Sequence, residues 1–295
     1  MRVTFNNLND GLAALNVAAA ALDRAQDQLA TGKRFRAASD DPDAAQRSVG
    51  SRAEISTLDA YTRTAASAES RLTTIDTMLS AVVERITEAR VTTTSARGTT
   101  ATPQVREAAA RQLEGIRDAI LGAVNTSVGG TYLFAGGQTL SRPYVQTGGV
   151  WTYQGDAATV EVAMGTDRTV TVALDGQALL QGTDANNLLT ELDQLAAAIR
   201  AGDAAGIDAG MAALDRAFSR AVRAQSYVGT DLNGIEENQQ QIAALRLASQ
   251  KRLSKDEDAD MAKAASDLAR ADTAYRAALG AISTAGRVSL MDYLR

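Results

Sequence analysis

The chain has 295 residues, of which 45% are hydrophobic but only 4% aromatic, and 30 basic and 35 acidic side chains give it a formal net charge of −5. It contains no cysteine and no histidine, which excludes disulfides, cysteine-ligated zinc and every catalytic triad that uses histidine as its base. No basic run indicates nucleic-acid binding, and no apolar stretch approaches the ~20 residues of a membrane helix, so we expect neither nucleic acid nor membrane as a partner.

The N-terminal segment repeats with a period of seven residues. It begins MRVTFNNLND, which lacks the apolar core of a signal peptide. A large and a small residue alternate along the repeat, which predicts a coiled-coil helix that ends at Thr31-Gly32. The large positions are Leu8, Leu15, Leu22 and Leu29, and the small ones are Gly11, Ala18 and Ala25.

The stretch after this helix, QLATGKRFRAASDDPDAA at 28–45, could be a phosphate loop, a pair of catalytic carboxylates or an elbow between two helices. A phosphate loop needs an upstream glycine and a preceding strand, and adjacent aspartates do not face each other on a helix. An N-cap at Asp41 followed by Pro42 fits a helix start, so we interpret the stretch as an elbow. Its residues could also contact acidic groups on adjacent subunits: Lys33, Arg34, Arg36 and Asp41.

Heptads predict a second helix over 43–95 and, after a break at Gly98–Pro103, a third over about 104–127. From 129 to 182 the chain is rich in Gly, Thr and Val, and TVEVAM and TVTVAL alternate on either side of GTDR, which predicts a β-hairpin. Helices are expected again from about 184, where Thr183 and Asp184 are cap candidates, and from about 203 to 226. Val228–Asp231 is interpreted as a break before a helix from about 232.

The C-terminal segment repeats the large and small alternation of the N-terminus. We therefore predict that the two ends pair, with one another or with neighbouring copies, and that they are disordered in the free monomer. The predicted assembly interface consists of the four leucines above together with Met261, Leu268, Tyr275, Ile282, Ala264, Ala271 and Ala278.

These patterns predict a mainly α fold: a long antiparallel coiled-coil rod made by the N- and C-terminal segments, with a small β-rich domain inserted between them. The predicted segments are a coiled coil with its elbow (1–42), two rod segments (43–128 and 184–252) on either side of the β insertion (129–183), and a terminal coiled coil (253–295).

An enzyme would have its best site at the carboxylates Asp256, Glu257, Asp258 and Asp260. The EF-hand spacing is absent there, and acidic residues are favoured at a helix N-terminus. We therefore expect no catalysis, no cofactor and no metal.

Four stretches resemble the flagellin superfamily of bacterial axial proteins, and within it the family of type-3 hook-associated proteins. The elbow is similar to the superfamily's N-terminal signature. GGTYLFAGGQT at 129–139, WTYQGD at 151–156 and the segment 258–295 are similar to the hook-associated family, although Tyr144 stands where that family often has Phe.

This resemblance implies a structural protein of the extracellular bacterial flagellum that joins hook and filament. It implies a ring of copies whose terminal helices form the inner coiled coil, with the type-1 hook-associated protein on the hook side and flagellin on the distal side. It also implies an export chaperone at the C-terminal region and type III export without a cleaved signal peptide. The alternative within the superfamily is a short flagellin that forms the filament itself.

Overall fold

A computed structural model describes the backbone at residues 2–97 and 102–293, and the side chains at 9–97 and 102–284. The described residues form seven helices and six short strands. The helices are α1 (Arg2–Thr31), α2 (Pro42–Ala96), α3 (Pro103–Val124), α4 (Gly176–Leu180), α5 (Leu188–Ala201), α6 (Ala204–Glu257) and α7 (Met261–Tyr293). The strands are β1 (Ser127–Val128), β2 (Thr131–Tyr132), β3 (Tyr144–Thr147), β4 (Val150–Tyr153), β5 (Glu161–Ala163) and β6 (Thr169–Thr171).

The predicted mainly α fold with a small β insertion is confirmed. None of the helices in the described part of the chain is both long and apolar enough to cross a membrane. The chain divides into two compact units, a terminal unit of residues 1–58 and 244–295 and a central unit of residues 59–243.

The core of the central unit contains the heptad positions of α2. Ala65, Leu72, Leu79 and Ile86 are at most 1% exposed. On α3, Leu113, Ile116 and Ile120 are buried in the same cluster as Leu192 and Ile199 of α5. The seven-residue repeat therefore predicted which face of α2 is buried.

Two predicted helix boundaries are wrong. The break at Val228–Asp231 is absent, because α6 continues through it with Val228 buried and the Thr230 hydroxyl bonded to the Ser226 carbonyl. A single glycine is tolerated inside a helix whose neighbours are packed. Nor do Thr183 and Asp184 cap the next helix, since the Asn187 side chain accepts a hydrogen bond from the Thr190 amide at the start of α5.

The β insertion consists of three two-stranded antiparallel sheets. The predicted hairpin is present as β5 and β6, with Val162 opposite Val170. The hairpin of β3 and β4 was not predicted: Thr147 pairs with Val150 across Gly148-Gly149, whose φ values of 61° and 85° suit a two-residue hairpin turn.

The YLFAGG and YQGD stretches meet in one buried cluster. Phe134 is fully buried. The Tyr153 hydroxyl lies 3.1 Å from the Phe134 carbonyl, to which it donates, and Tyr144 donates to the Gly176 carbonyl at 3.1 Å. A Cβ at Gly176 would lie 2.6 Å from the Phe134 carbonyl oxygen, so only glycine fits there.

Arg71 of α2 fastens the insertion to the helices. Its guanidinium donates to the Val172 carbonyl at 2.6 Å, to the Thr131 hydroxyl at 2.8 Å and to the Tyr132 carbonyl at 3.3 Å. Burial lowers the pKa of Arg71. The three acceptors are neutral, so they supply no negative charge that would offset this effect. Two-stranded hairpins are marginal alone, so this anchor and the aromatic cluster hold them in place.

Candidate functional site

Helices α1 and α7 pack against each other in the terminal unit. Their small residues lie at the contact: Ala25, Ala264 and Ala271 are buried. At Gly11 an added Cβ would lie 3.2 Å from the Ile282 side chain, so a bulky residue covers the glycine. The pairing places a large residue over a small one, which allows a close helix approach.

The large residues of the predicted interface are only partly covered by this single pair. Met261 is 50% exposed, and the other large positions with described side chains are half-buried: Leu15, Leu22, Leu29, Leu268, Tyr275 and Ile282. Ala278 is also half-buried. The Leu8 side chain lies outside the described residues.

Further apolar side chains on these helices were missed by the heptad analysis. Val17 is 68% exposed, Leu12 44% and Leu279 43%. None belongs to the two heptad positions that define the predicted seam. A sequence analysis that considered apolar residues at every helix position, rather than at two positions of each heptad, would have found them.

The elbow joins α1 to α2 as the sequence predicts. Gly32 ends α1 with a φ of 67°, and its amide donates to the Gln28 carbonyl at 2.9 Å. At the start of α2, the Asp41 carboxylate accepts a hydrogen bond from the Ala44 amide at 3.0 Å, and Pro42 is the first helical residue.

The basic residues of the elbow contact carboxylates of the same chain. Lys33 lies 2.7 Å from Asp258 and 3.4 Å from Glu257, and these bonds raise the lysine pKa. Other pairs in the elbow are Arg34 with Asp41 at 2.8 Å and Arg36 with Asp27 at 3.3 Å. Their contact with neighbouring subunits stays a prediction.

The backbone of the elbow also bonds to the backbone of the turn between α6 and α7. The Arg34 amide donates to the Glu257 carbonyl at 2.6 Å, and the Ala259 amide donates to the Gly32 carbonyl at 2.8 Å. The elbow therefore lies against the turn between α6 and α7, where the acidic cluster is found.

Glu257 is the most buried member of the acidic cluster, with 7% of its side chain exposed. Burial alone would raise its pKa, but Arg52 at 2.7 Å and Lys33 outweigh this effect and hold the pKa below its usual value. Asp256 pairs with Arg47 at 3.0 Å, and Asp260 accepts the Ala262 amide at 3.0 Å at the start of α7. These carboxylates thus act in ion pairs and a helix cap, and within the described ranges no three His, Cys, Asp or Glu side chains are grouped to hold a metal.

Two comparisons show which known proteins the chain is similar to. Residues 5–139 match the family model of the bacterial flagellin N-terminal helical region. Flagellar hook-associated protein 3 of Escherichia coli (strain K12) is 27% identical over 233 residues, which cover 71% of this chain and 73% of that protein.

These matches support a flagellin-superfamily protein of the hook-associated protein 3 type.

Solved structures of flagellar hook-associated proteins share the fold of this chain. A candidate flagellar hook-associated protein from Vibrio parahaemolyticus aligns with a TM-score of 0.71 at 22% identity, covering 74% of this chain and 100% of that one. FlgL of Xanthomonas campestris aligns with a TM-score of 0.63 at 14% identity, covering 68% and 98%. At these identities the likeness concerns the fold alone.

Proposed function

We propose that this chain is a structural part of the bacterial flagellum that joins the hook to the filament. In this role α1 and α7 pack with the same helices of neighbouring copies and form the inner layer of a ring. The chain acts outside the cell, and it has no catalytic role in this assembly.

The observation that supports this function is the incomplete burial of the paired terminal helices. Large apolar side chains along α1 and α7 remain half-exposed in the single chain. Val17 is 68% exposed and Met261 is 50% exposed. Fully burying such a side chain stabilises by about 1.5–3 kcal/mol, so association of several copies gains free energy at every heptad. The family assignment agrees, because its named relatives are flagellar hook-associated proteins.

The same proposal includes the partners of the ring. The type-1 hook-associated protein lies on the hook side and flagellin on the distal side, and an export chaperone holds the C-terminal region before passage through the flagellar export apparatus. A chaperone that binds α7 would cover the half-exposed residues Leu268, Tyr275 and Ile282 until assembly.

Deletion of the gene in the source bacterium tests this function. We expect hooks without filaments and unpolymerised flagellin in the medium, both reversed by a plasmid copy of the full chain. Normal filaments on normal hooks in the deletion strain would contradict the proposal.

The match to the flagellin helical region also supports a second candidate, a short flagellin that builds the filament itself. The deletion strain separates the two candidates. Loss of a flagellin thins or removes the filament, and no separate flagellin accumulates unpolymerised in the medium.

A further inference from the structure

A cavity of about 320 Å³ lies between the β5–β6 hairpin and the part of α6 that belongs to the central unit. Met164 and Val170 give it an apolar side, and both are buried, at 2% and 6% exposure. The rest of its lining is polar and includes Arg168 from the hairpin turn and Asp231 from α6. The cavity therefore offers an acidic and a basic side chain next to an apolar surface.

The Asp231 carboxylate has no partner among the described residues. It is half-buried, and it makes no hydrogen bond or ion pair with that part of the chain. Burial raises its pKa, and no nearby cation lowers the pKa again. A carboxylate that is partly removed from water and left unpaired is unfavourable, so a bound cation would stabilise it.

The Arg168 guanidinium lies about one helical turn away from Asp231. Its Nη2 atom is 3.3 Å from the position that a Cβ at Gly234 would take, three residues beyond Asp231 on α6. Its ion-pair partner Glu237 is 4.0 Å away, which is too long for a charge-assisted hydrogen bond. Within the described ranges the guanidinium donates no hydrogen bond, so its N–H groups are available to a ligand.

Two neutral polar side chains of the lining are also unused. Thr169 and Asn233 are exposed, and neither side chain makes a hydrogen bond within the described part of the chain. The Thr230 hydroxyl, by contrast, donates to the Ser226 carbonyl at 3.0 Å. The lining thus presents an anion, a cation, a hydroxyl and an amide with free hydrogen-bonding capacity.

A larger groove of about 710 Å³, between α6 and the segment that contains α4, differs because each aspartate of its lining is in use within the chain. Asp184 accepts hydrogen bonds from two arginines of α6, at 2.8 and 2.7 Å. Asp215 pairs with Arg90 at 2.9 Å. The Asp175 carboxylate accepts the Gln177 amide at 2.7 Å and caps α4. Its acidic groups therefore have little need of a ligand, unlike Asp231.

We propose that the cavity beside the β5–β6 hairpin binds a small zwitterion, a free α-amino acid, with its ammonium group on Asp231 and its carboxylate on Arg168. Such a ligand carries both charges close together, so it can bridge two side chains that one helical turn separates. Its side chain would lie against Met164 and Val170. A metal ion fits less well, because no three His, Cys, Asp or Glu side chains are grouped to hold one within the described residues. This binding goes beyond the proposed junction function and does not depend on it.

An NMR titration of the ¹⁵N-labelled full chain tests the site. L-alanine is the probe, because its methyl group is the smallest side chain that can contact the apolar lining. L-lactate lacks the ammonium group and L-alaninol lacks the carboxylate, so each removes one of the two proposed contacts. We expect amide shifts at 164–170 and 230–237, a dissociation constant of about 1 mM or lower for L-alanine, and at least about tenfold weaker binding of the other two. No shifts at about 10 mM L-alanine, or equal affinities for all three compounds, would overturn the proposal.

Substitutions at the two charged groups are the second arm. Asp231→Asn and Arg168→Gln should each weaken L-alanine binding at least about tenfold. The matched controls are Glu236→Gln and Arg142→Gln, which change exposed side chains outside the lining and should alter the affinity less than about twofold.

Parent-like binding by Asp231→Asn would also overturn the site. Amide spectra that are unchanged away from the cavity show that a variant is folded, and the comparison of the three compounds on the parent chain decides the matter if it is not. The titration uses the unassembled chain, so its failure leaves the junction function standing. A fully flagellated deletion strain would instead remove the junction function and leave the binding site.

Discussion

Glu257 is the residue at which the elbow meets the turn between α6 and α7 in the terminal unit. Its carboxylate lies 2.7 Å from Arg52 and 3.4 Å from Lys33, and its carbonyl accepts the Arg34 amide. A buried carboxylate that loses its partners is unfavourable, so the two cations and Glu257 depend on one another. This residue was considered from sequence as a catalytic or metal-binding candidate, and its contacts explain it as an ion-pair centre.

Glu257→Gln should lower the free energy of unfolding by about 1–2 kcal/mol at pH 7, less than for a fully buried pair because Arg52 and Lys33 are partly exposed. Because the folded pKa of Glu257 is lowered, its contribution is fully present above the unfolded pKa and is lost as pH falls through the folded pKa. Urea unfolding of variant and parent, followed by circular dichroism, should therefore differ at pH 7, and the difference should be smaller at pH 3.

The matched control for this prediction is Asp267→Asn, since Asp267 forms an exposed pair with Arg270 three residues along α7. Its effect should stay below about 0.5 kcal/mol at both pH values. A Glu257→Gln effect that is equally large at pH 3 and pH 7 would show that packing, not charge, explains the loss.

Gly176 and Gly115 should respond in opposite directions to alanine. At Gly176 the added methyl would meet the Phe134 carbonyl oxygen at 2.6 Å, and the backbone must shift, so Gly176→Ala should destabilise by about 1–3 kcal/mol. Gly115 lies inside α3 with nothing within 4 Å of the added Cβ, so Gly115→Ala should stabilise by about 0.5–1 kcal/mol. Thermal unfolding of both variants checks this, and equal signs would contradict it.

At the scale of elements, the long helices were predictable because their apolar periods are long and regular. The heptads of α2 and the caps at Gly32 and Asp41 specify local structure through nearby residues. The β3–β4 hairpin was missed although Gly148-Gly149 is a recognised turn signal, since its strands are only four residues each. Asp184 was misread as a cap, because its partners Arg216 and Arg220 lie more than 30 residues away and no local pattern shows them.

Leu268→Asp tests the packing of the paired terminal helices α1 and α7. The charge enters a seam where apolar burial on assembly was expected to contribute about 1.5–3 kcal/mol. We expect a soluble monomer whose central unit melts at the parent temperature but which cannot complete the junction. Swimming in soft agar measures the loss, with Ala269→Asp at an exposed neighbouring position as the control. Normal swimming of the Leu268→Asp strain would contradict the prediction.

The terminal helices should also be less protected than the central unit in the free chain. Their contact rests on alanine and glycine, while fixing each residue costs on the order of 1–2 kcal/mol in backbone entropy. Hydrogen exchange on the monomer should show fast exchange at 1–30 and 260–290 and slow exchange in the core of residues 59–243. Strong protection of both ends without a partner would be inconsistent with folding on association.

At the scale of the whole molecule, the sequence predicts the α1–α7 seam better than the surfaces around it. Leu15, Leu22 and Leu268 could be proposed from the sequence because a seven-residue period marks them. The exposed side of α2 that carries Thr77, Thr87 and Thr94 has no such period of large apolar residues. The hydroxyls of these threonines donate to carbonyls of their own helix, which the sequence alone does not show. The residues that line the groove between α6 and the segment containing α4 come from parts of the chain about 40 residues apart, so they were found only in three dimensions.

The Gly148-Gly149 tip offers a place to graft foreign peptides. The strands on either side pair in fixed register, Trp151 is held by the Asn187 amide on its carbonyl at 2.8 Å, and both glycines are exposed. Exposed tips between well-anchored strands accept added residues with little loss of stability. A short epitope inserted there would be carried by every copy, and under the proposed function an antibody against it would decorate intact bacteria wherever the protein is assembled.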